Sequence, residues 1–120
     1  DQPPPDLGLT DDFVFQDGRS GVNFGRIEGS DAYREWLAST WEVGSNHPLW
    51  SIPDVVAVRD DRCAVVVMKV DYGNEMWLEH LECWRLDATL RRAEFAAAFD
   101  ADDRDAAIAE LDRLSTEIDD

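Results

Sequence analysis

Residues 62–86, RCAVVVMKVDYGNEMWLEHLECWRL, decide the fold of this chain. Two runs rich in β-branched and aromatic residues are separated by Gly73-Asn74, a dipeptide typical of a tight hairpin turn. Turn-forming residues on both sides of this hairpin add one further strand at each end. The sequence therefore predicts an antiparallel meander. Its four strands are expected at 54–59, 62–72, 75–86 and 90–99.

One more strand and two helices surround the meander. A short strand is predicted over 13–17, ended by the glycine-bearing turn DGRSG. Ser30 is a favourable N-cap, and apolar residues then recur at helical spacing up to a stop near Gly44. The tail, 101–120, has acidic residues in its first turn and one apolar stripe, which predicts a closing helix. A length of 120 residues suits a single α+β domain with one core.

The strand 75–86 has two faces of different character, because alternate residues of a strand point to opposite sides of the sheet. Charges spread through the odd positions, among them Glu79, predict a face at least partly in contact with water. The even positions are apolar at both ends and hold His80 and Glu82 in the middle. If the even face is the inner one, these two side chains form a pair in apolar surroundings.

The sequence of the strand 62–72 predicts an apolar surface on both faces of that strand. One parity carries no charge, and the other is apolar over its first half. A sheet with apolar patches on both faces needs two covers, and a single helix layer supplies one. The sequence therefore predicts a homodimer formed through the outer face of the sheet.

The charge and the cysteines narrow the class of protein. A net charge of −16 repels phosphate groups, so neither nucleic acid nor an anionic membrane is expected as a partner. Cys63 and Cys83 lack metal-binding spacing and are expected to be buried free thiols. No apolar run approaches the roughly 20 residues needed to span a bilayer. We expect a soluble, cytoplasmic protein whose acidity serves solubility or attracts a cationic partner.

Three segments resemble the SnoaL-like branch of the nuclear transport factor 2-like superfamily. They are LTDDFVFQDGRSG (9–21), GRIEGSDAYREWL (25–37) and AFDADDRDAAIAELDRL (98–114). The resemblance implies a strongly curved antiparallel sheet wrapped around helices to form a cone with an apolar cavity, in one domain over 9–118. It also implies frequent dimerisation through the sheet.

The start of the chain departs from this family. Its members usually open with a long helix that caps the cone, whereas DQPPPDLG (1–8) is typical of an extended linker or tail. The first cap helix is therefore expected to be missing. This departure favours an accessory or sensory module of a larger bacterial protein.

The family includes isomerases, cyclases and domains that only bind small molecules, so the fold leaves the function open. Catalysis would need a general base and donors for an oxyanion. The candidate bases are His80, Glu82 and Asp17. The cone implies a pocket for a small apolar or aromatic molecule, lined by Phe13, Phe15, Tyr33, Trp36, Trp41, Trp50, Met68, Tyr72, Leu78, Trp84 and Phe95.

Three functions stay open at this point. The first is a small-molecule-binding domain, in which His80 and Glu82 contact a ligand or only satisfy each other by a hydrogen bond. The second is an isomerase, cyclase or hydratase with a pocket carboxylate or histidine as base, and the third is an acidic protein-interaction module. No metal or other cofactor is expected, because the His80-x-Glu82 string lacks a third ligand nearby on its own face.

Overall fold

The computed structural model describes residues 8–20, 25–43, 49–73 and 75–119. Within them, six strands form one curved, open sheet in the order β2-β1-β6-β5-β4-β3, accompanied by two helices. The predicted α+β curved-sheet class is confirmed. The elements are β1 (Leu9–Asp17), β2 (Arg26–Glu28), α1 (Ser30–Val43), β3 (Leu49–Arg59), β4 (Cys63–Gly73), β5 (Met76–Leu86), β6 (Ala93–Asp100) and α2 (Arg104–Asp119).

The sheet is mixed, with one parallel pair. The strands β3, β4, β5 and β6 form the expected antiparallel meander, while β1 runs parallel to β6. The strand β2 pairs antiparallel with β1 and places Ile27 opposite Phe15. The sequence did not predict β2, because three residues are too few to show a strand period.

The strand β3 begins at Leu49, five residues earlier than predicted at Asp54. This extension places Pro53 inside the strand, although proline cannot donate a hydrogen bond to a neighbouring strand. The strand tolerates Pro53 because β3 is the edge of the sheet and its register shifts between Ser51 and Asp54. Conversely, β6 begins at Ala93 and not at the predicted Leu90, whose φ of 62° belongs to a turn.

The two helices pack on opposite faces of the sheet. We call the face against α1 the inner face and the face against α2 the outer face. The inner core is aromatic, with the Phe15 and Trp36 rings stacked at 5.4 Å and the Phe13 and Tyr33 rings 4.9 Å apart. Its buried members are Leu9, Phe13, Phe15, Tyr33, Ala93, Ala96 and Ala98.

The outer core is formed by the closing helix. Leu111 and Leu114 of α2 are fully buried against β4, β5 and β6, together with Cys63, Val65, Leu81, Cys83, Phe95 and Ala97. The helix α2 therefore covers the apolar outer patch on which the sequence argument for a homodimer rested. The homodimer stays a prediction, now without that argument. None of the described helices is long and apolar enough to cross a membrane.

The thiols of Cys63 and Cys83 are free and buried in this outer core. Burial raises the pKa of both thiols. For Cys83 the pKa rises to about 12, since the negative charge of Glu110 adds to the effect of burial. A thiol in an unfolded chain ionises near pH ~8.5.

Alkaline pH should therefore destabilise the fold through Cys83. Above pH ~8.5 the unfolded chain releases the thiol proton while the folded chain keeps it up to about pH 12, so the free energy of unfolding falls as pH rises. The slope for one proton is at most about 1.4 kcal/mol per pH unit. Urea unfolding of Cys83→Val should show a shallower pH dependence. Val65→Ala, at its partner position on β4, should keep the wild-type slope, and an equal slope in Cys83→Val would contradict the prediction.

Candidate functional site

The candidate site lies on the inner face, where the strand register brings three buried titratable residues together. Asp17 on β1 and Glu82 on β5 both pair with Ala98 of the intervening strand β6. Their backbones are thus two strand spacings apart, about 10 Å. The exposed fraction is 3% for Asp17, 3% for Glu82 and 6% for His80, which points to the same face as Glu82.

A hydrogen-bond chain joins three alternate residues of β5. The Glu82 carboxylate accepts a hydrogen bond at Oε1 from the Trp84 indole Nε1, at 2.7 Å. Its other oxygen, Oε2, lies 2.6 Å from His80 Nε2. A contact this short between a carboxylate and a nitrogen is typical of a charge-assisted hydrogen bond. Both Glu82 oxygens are thereby engaged within the protein.

Asp17 is engaged in the same way by Arg19. The Arg19 guanidinium donates two hydrogen bonds to the Asp17 carboxylate, at 2.9 Å from Nε and 2.7 Å from Nη2. The Arg19 backbone N–H donates a third, at 3.0 Å. A carboxylate held by a bidentate arginine is a poor proton acceptor, because taking a proton would break the ion pair. Asp17 is therefore better suited to hold Arg19 in place than to act as a base.

Tyr33 of α1 completes the polar part of the site. Burial raises the pKa of its hydroxyl, the negative charge of Glu82 adds to this, and the positive charge of Arg19 opposes it. Tyr33 therefore stays protonated at physiological pH and can donate a hydrogen bond. Among the residues that the structure describes, neither the Tyr33 hydroxyl nor His80 Nδ1 is engaged in a hydrogen bond.

Most of the predicted pocket residues within the described part lie on the inner face. Phe13, Phe15 and Tyr33 are buried there with the half-buried Trp36 and Trp84 next to them. Met68 belongs to a neighbouring cluster with Val66 and Val70 of β4, and Trp84 of β5 packs against this cluster. Leu78 follows the inner parity of β5 but is 53% exposed, at the end of the strand. For Trp41, Trp50 and Tyr72 the structure describes the backbone, and their side chains lie outside the described part.

Phe95 lies apart from the other predicted pocket residues, on the outer face. Phe95 pairs with Arg85 and Val14 across the sheet and packs against α2 in the outer core. Its neighbours Ala96 and Ala98 belong to the inner cluster instead. The sequence of β6 leaves its two faces undecided, since it reads AEFAAAFD with apolar residues at both parities.

Two features of the site were not predicted. The sequence separates Asp17 from Arg19 by one glycine in a turn, and nothing local indicates that the two would pair. The sequence predicts Trp84 only as part of the pocket lining, whereas its indole N–H donates a hydrogen bond to Glu82. Within the described residues, no group of three or more possible metal ligands is present.

No family model matches this sequence, and no curated protein matches it significantly. Solved structures do match in fold. A protein of unknown function with a cystatin-like fold from Methylobium petroleophilum is 17% identical, with a TM-score of 0.60 over 79% of this chain and 61% of that one. The present chain thus spans less than two thirds of that protein.

Two further neighbours are more evenly covered. TerC, co-crystallised with polyporic acid, is 17% identical with a TM-score of 0.55, over 87% of this chain and 79% of TerC. A Shewanella putrefaciens protein assigned to the SnoaL-like polyketide cyclases is 10% identical with a TM-score of 0.57, over 90% of this chain and 81% of that one. The present chain has the SnoaL-like, nuclear transport factor 2-like fold.

Proposed function

We propose that this chain binds a small, largely apolar or aromatic molecule on its inner face, beside His80 and Tyr33. The observation that carries this proposal is the aromatic cluster on the inner face, next to two polar atoms, the Tyr33 hydroxyl and His80 Nδ1, that make no hydrogen bond among the described residues. Both atoms keep hydrogen-bonding capacity that a ligand could use. A ligand can supply both partners.

The chemistry of the two atoms defines the ligand. The Tyr33 hydroxyl is protonated and can donate, whereas His80 Nδ1 can accept when Nε2 carries the proton for Glu82. A flat molecule with one hydroxyl to donate and one oxygen to accept satisfies both. TerC, which shares the fold, was co-crystallised with polyporic acid, and this supports a small-molecule-binding role for the present chain.

Both candidate carboxylates are occupied by internal hydrogen bonds, Asp17 with Arg19 and Glu82 with Trp84 and His80. This occupation favours binding over catalysis and supports the role of an accessory or sensory module. A positively charged guanidinium and a carboxylate already neutralise each other at Asp17, so the site does not call for an anionic ligand.

A matched pair of probes tests the proposal: 2-naphthol, which carries a hydroxyl, and naphthalene, which does not. Tryptophan fluorescence should respond saturably to both, and 2-naphthol should bind about fivefold more tightly, the value of one hydrogen bond of about 1 kcal/mol. His80→Phe should remove this preference, and the same change at the chain's other histidine, His47→Phe, should retain it. No saturable response to either probe would refute the proposal.

The pairing of His80 with Glu82 favours one second candidate, a general-base enzyme. Glu82 would orient the imidazole, His80 would take a proton at Nδ1, and Tyr33 would stabilise the resulting oxyanion. The base would then be His80 alone and not the three bases expected from the sequence. Exchange of the α-protons of 2-tetralone for deuterium, faster than in buffer and lost in His80→Phe, would separate this function from simple binding.

A further inference from the structure

The helix α2 covers only part of the outer face of the sheet. The buried outer core that it contacts ends on β5 at Leu81. Beyond Leu81, the outer positions of β5 are Glu79 and Trp77. They lie opposite Lys69 and Asp71 of β4. Glu79 is exposed, and the exposed fraction of Trp77 is 51%. We call this open end of the outer face the Trp77 surface.

The Trp77 ring already holds one cation of its own chain. The ammonium Nζ of Lys69 lies 4.7 Å from the centroid of the ring. At this distance a cation is attracted by the negative face of the indole π-system. Because the side chain is 51% exposed, ring surface is also accessible to a group from another molecule.

Negative charge predominates around the Trp77 ring. Asp71 and Glu79 lie on the Trp77 surface, and the exposed Asp54 lies on the same face of the edge strand β3. Within the described part of the chain, neither Glu79 nor Asp54 forms an ion pair. Three carboxylates beside the ammonium of Lys69 leave this surface negative, in a chain with a net charge of −16.

We propose that the Trp77 surface binds an arginine-containing basic segment of a partner protein. A guanidinium can stack on an indole face and donate hydrogen bonds to a carboxylate at the same time. Trp77 supplies the indole and Glu79 supplies the carboxylate, two residues apart on one face of β5. A second copy of this chain would place the same carboxylates against one another, which like-charge repulsion opposes.

The Trp77 surface lies on the opposite face of the sheet from the proposed ligand site. His80 points to the inner face, whereas its neighbour Glu79 points to the outer face. The two proposals are therefore independent, and either can fail without the other.

Three acetylated and amidated pentapeptides test the chemistry of the partner: valine alternates with arginine in the first, with lysine in the second and with glutamate in the third. Binding is followed by chemical-shift titration of the ¹⁵N-labelled chain, which also shows where the peptide binds. The arginine peptide should bind saturably, shift the Trp77 indole N–H and weaken as salt is added, since the attraction is partly electrostatic. The lysine peptide should bind less tightly, because it cannot stack, and the glutamate peptide should not bind.

Two substitutions at exposed positions locate the contact. Trp77→Leu should weaken binding of the arginine peptide about two- to fivefold, the value of one exposed cation–π contact. Glu79→Gln should weaken it by a similar factor of about two to five, the value of one exposed ion pair. The matched control is Glu35→Gln, which removes the same charge from an exposed position of α1 and should keep the wild-type affinity.

Four results would overturn the proposal. The first is no saturable binding of the arginine peptide up to about 1 mM. The second is an equal loss in Glu79→Gln and Glu35→Gln, as diffuse attraction to an acidic chain predicts. The third is spermine binding as tightly as the arginine peptide, which would assign the surface to small polyamines. The fourth is a dimer of the chain alone in sedimentation equilibrium that Trp77→Leu dissociates, which would assign the surface to a second copy.

Discussion

Replacing Glu82 by leucine should lower the free energy of unfolding by about 2–6 kcal/mol. The change leaves the indole N–H of Trp84 without its acceptor and His80 Nε2 without its hydrogen-bond partner, on a largely buried face. Each buried donor without a partner costs about 1–3 kcal/mol. Equilibrium unfolding in urea, followed by tryptophan fluorescence and by circular dichroism, measures the difference.

The neighbouring residue Glu79 provides the control. It lies on the same strand, has the same side chain and is exposed. Glu79→Leu should change the stability by less than about 0.5 kcal/mol. Equal losses in the two leucine variants would show that the buried hydrogen bonds of Glu82 do not stabilise the fold. Glu82→Gln keeps an acceptor for the Trp84 indole N–H and should therefore cost less than leucine.

Truncating Leu111 to alanine is the second change with a large expected effect. Leu111 is fully buried at the centre of α2, against the outer face of the sheet. Truncation of a fully buried leucine usually costs about 2–5 kcal/mol, because apolar contacts are lost and a cavity remains. The same urea experiment should show an earlier midpoint with a similar slope.

The adjacent residue, Asp112, is the matched control for Leu111. Its side chain is 60% exposed and forms a surface ion pair with Arg59, at 3.4 Å. Surface ion pairs contribute about 1 kcal/mol or less. Asp112→Ala should therefore stay close to wild type. A tolerated Leu111→Ala would mean that α2 is not a stable cover of the outer face, and would restore the need for a second subunit there.

The sequence determined the elements that have strong local signals. The hairpin turn after Gly73 and the residue types on either side of it were enough to predict the meander. The N-cap at Ser30 and the helical spacing after it predicted α1, and the acidic first turn with its apolar stripe predicted α2. Such signals involve residues close together in the chain, so they can be recognised without knowledge of the fold.

The strand period also indicated which residues could share a face, but it did not assign the faces. His80 and Glu82 had to lie on one side of β5 whatever covered it. For β6 the same rule does not separate the two faces, and Phe95, predicted to line the pocket, lies on the outer face. When a strand has apolar residues at both odd and even positions, its sequence does not show which face points to which side of the sheet. A one-residue shift of register exchanges the two faces.

Only the tertiary structure decided which residues of the candidate site contact one another. The pairing of Asp17 with Arg19 depends on the turn after β1, and the position of Asp17 across from Glu82 depends on β1 lying parallel to β6. The cover of the outer face depends on α2 folding back onto β4 and β5. The last two arrangements join residues far apart in the chain, and their energy comes from packing and hydrogen bonds that exist only once the sheet has formed.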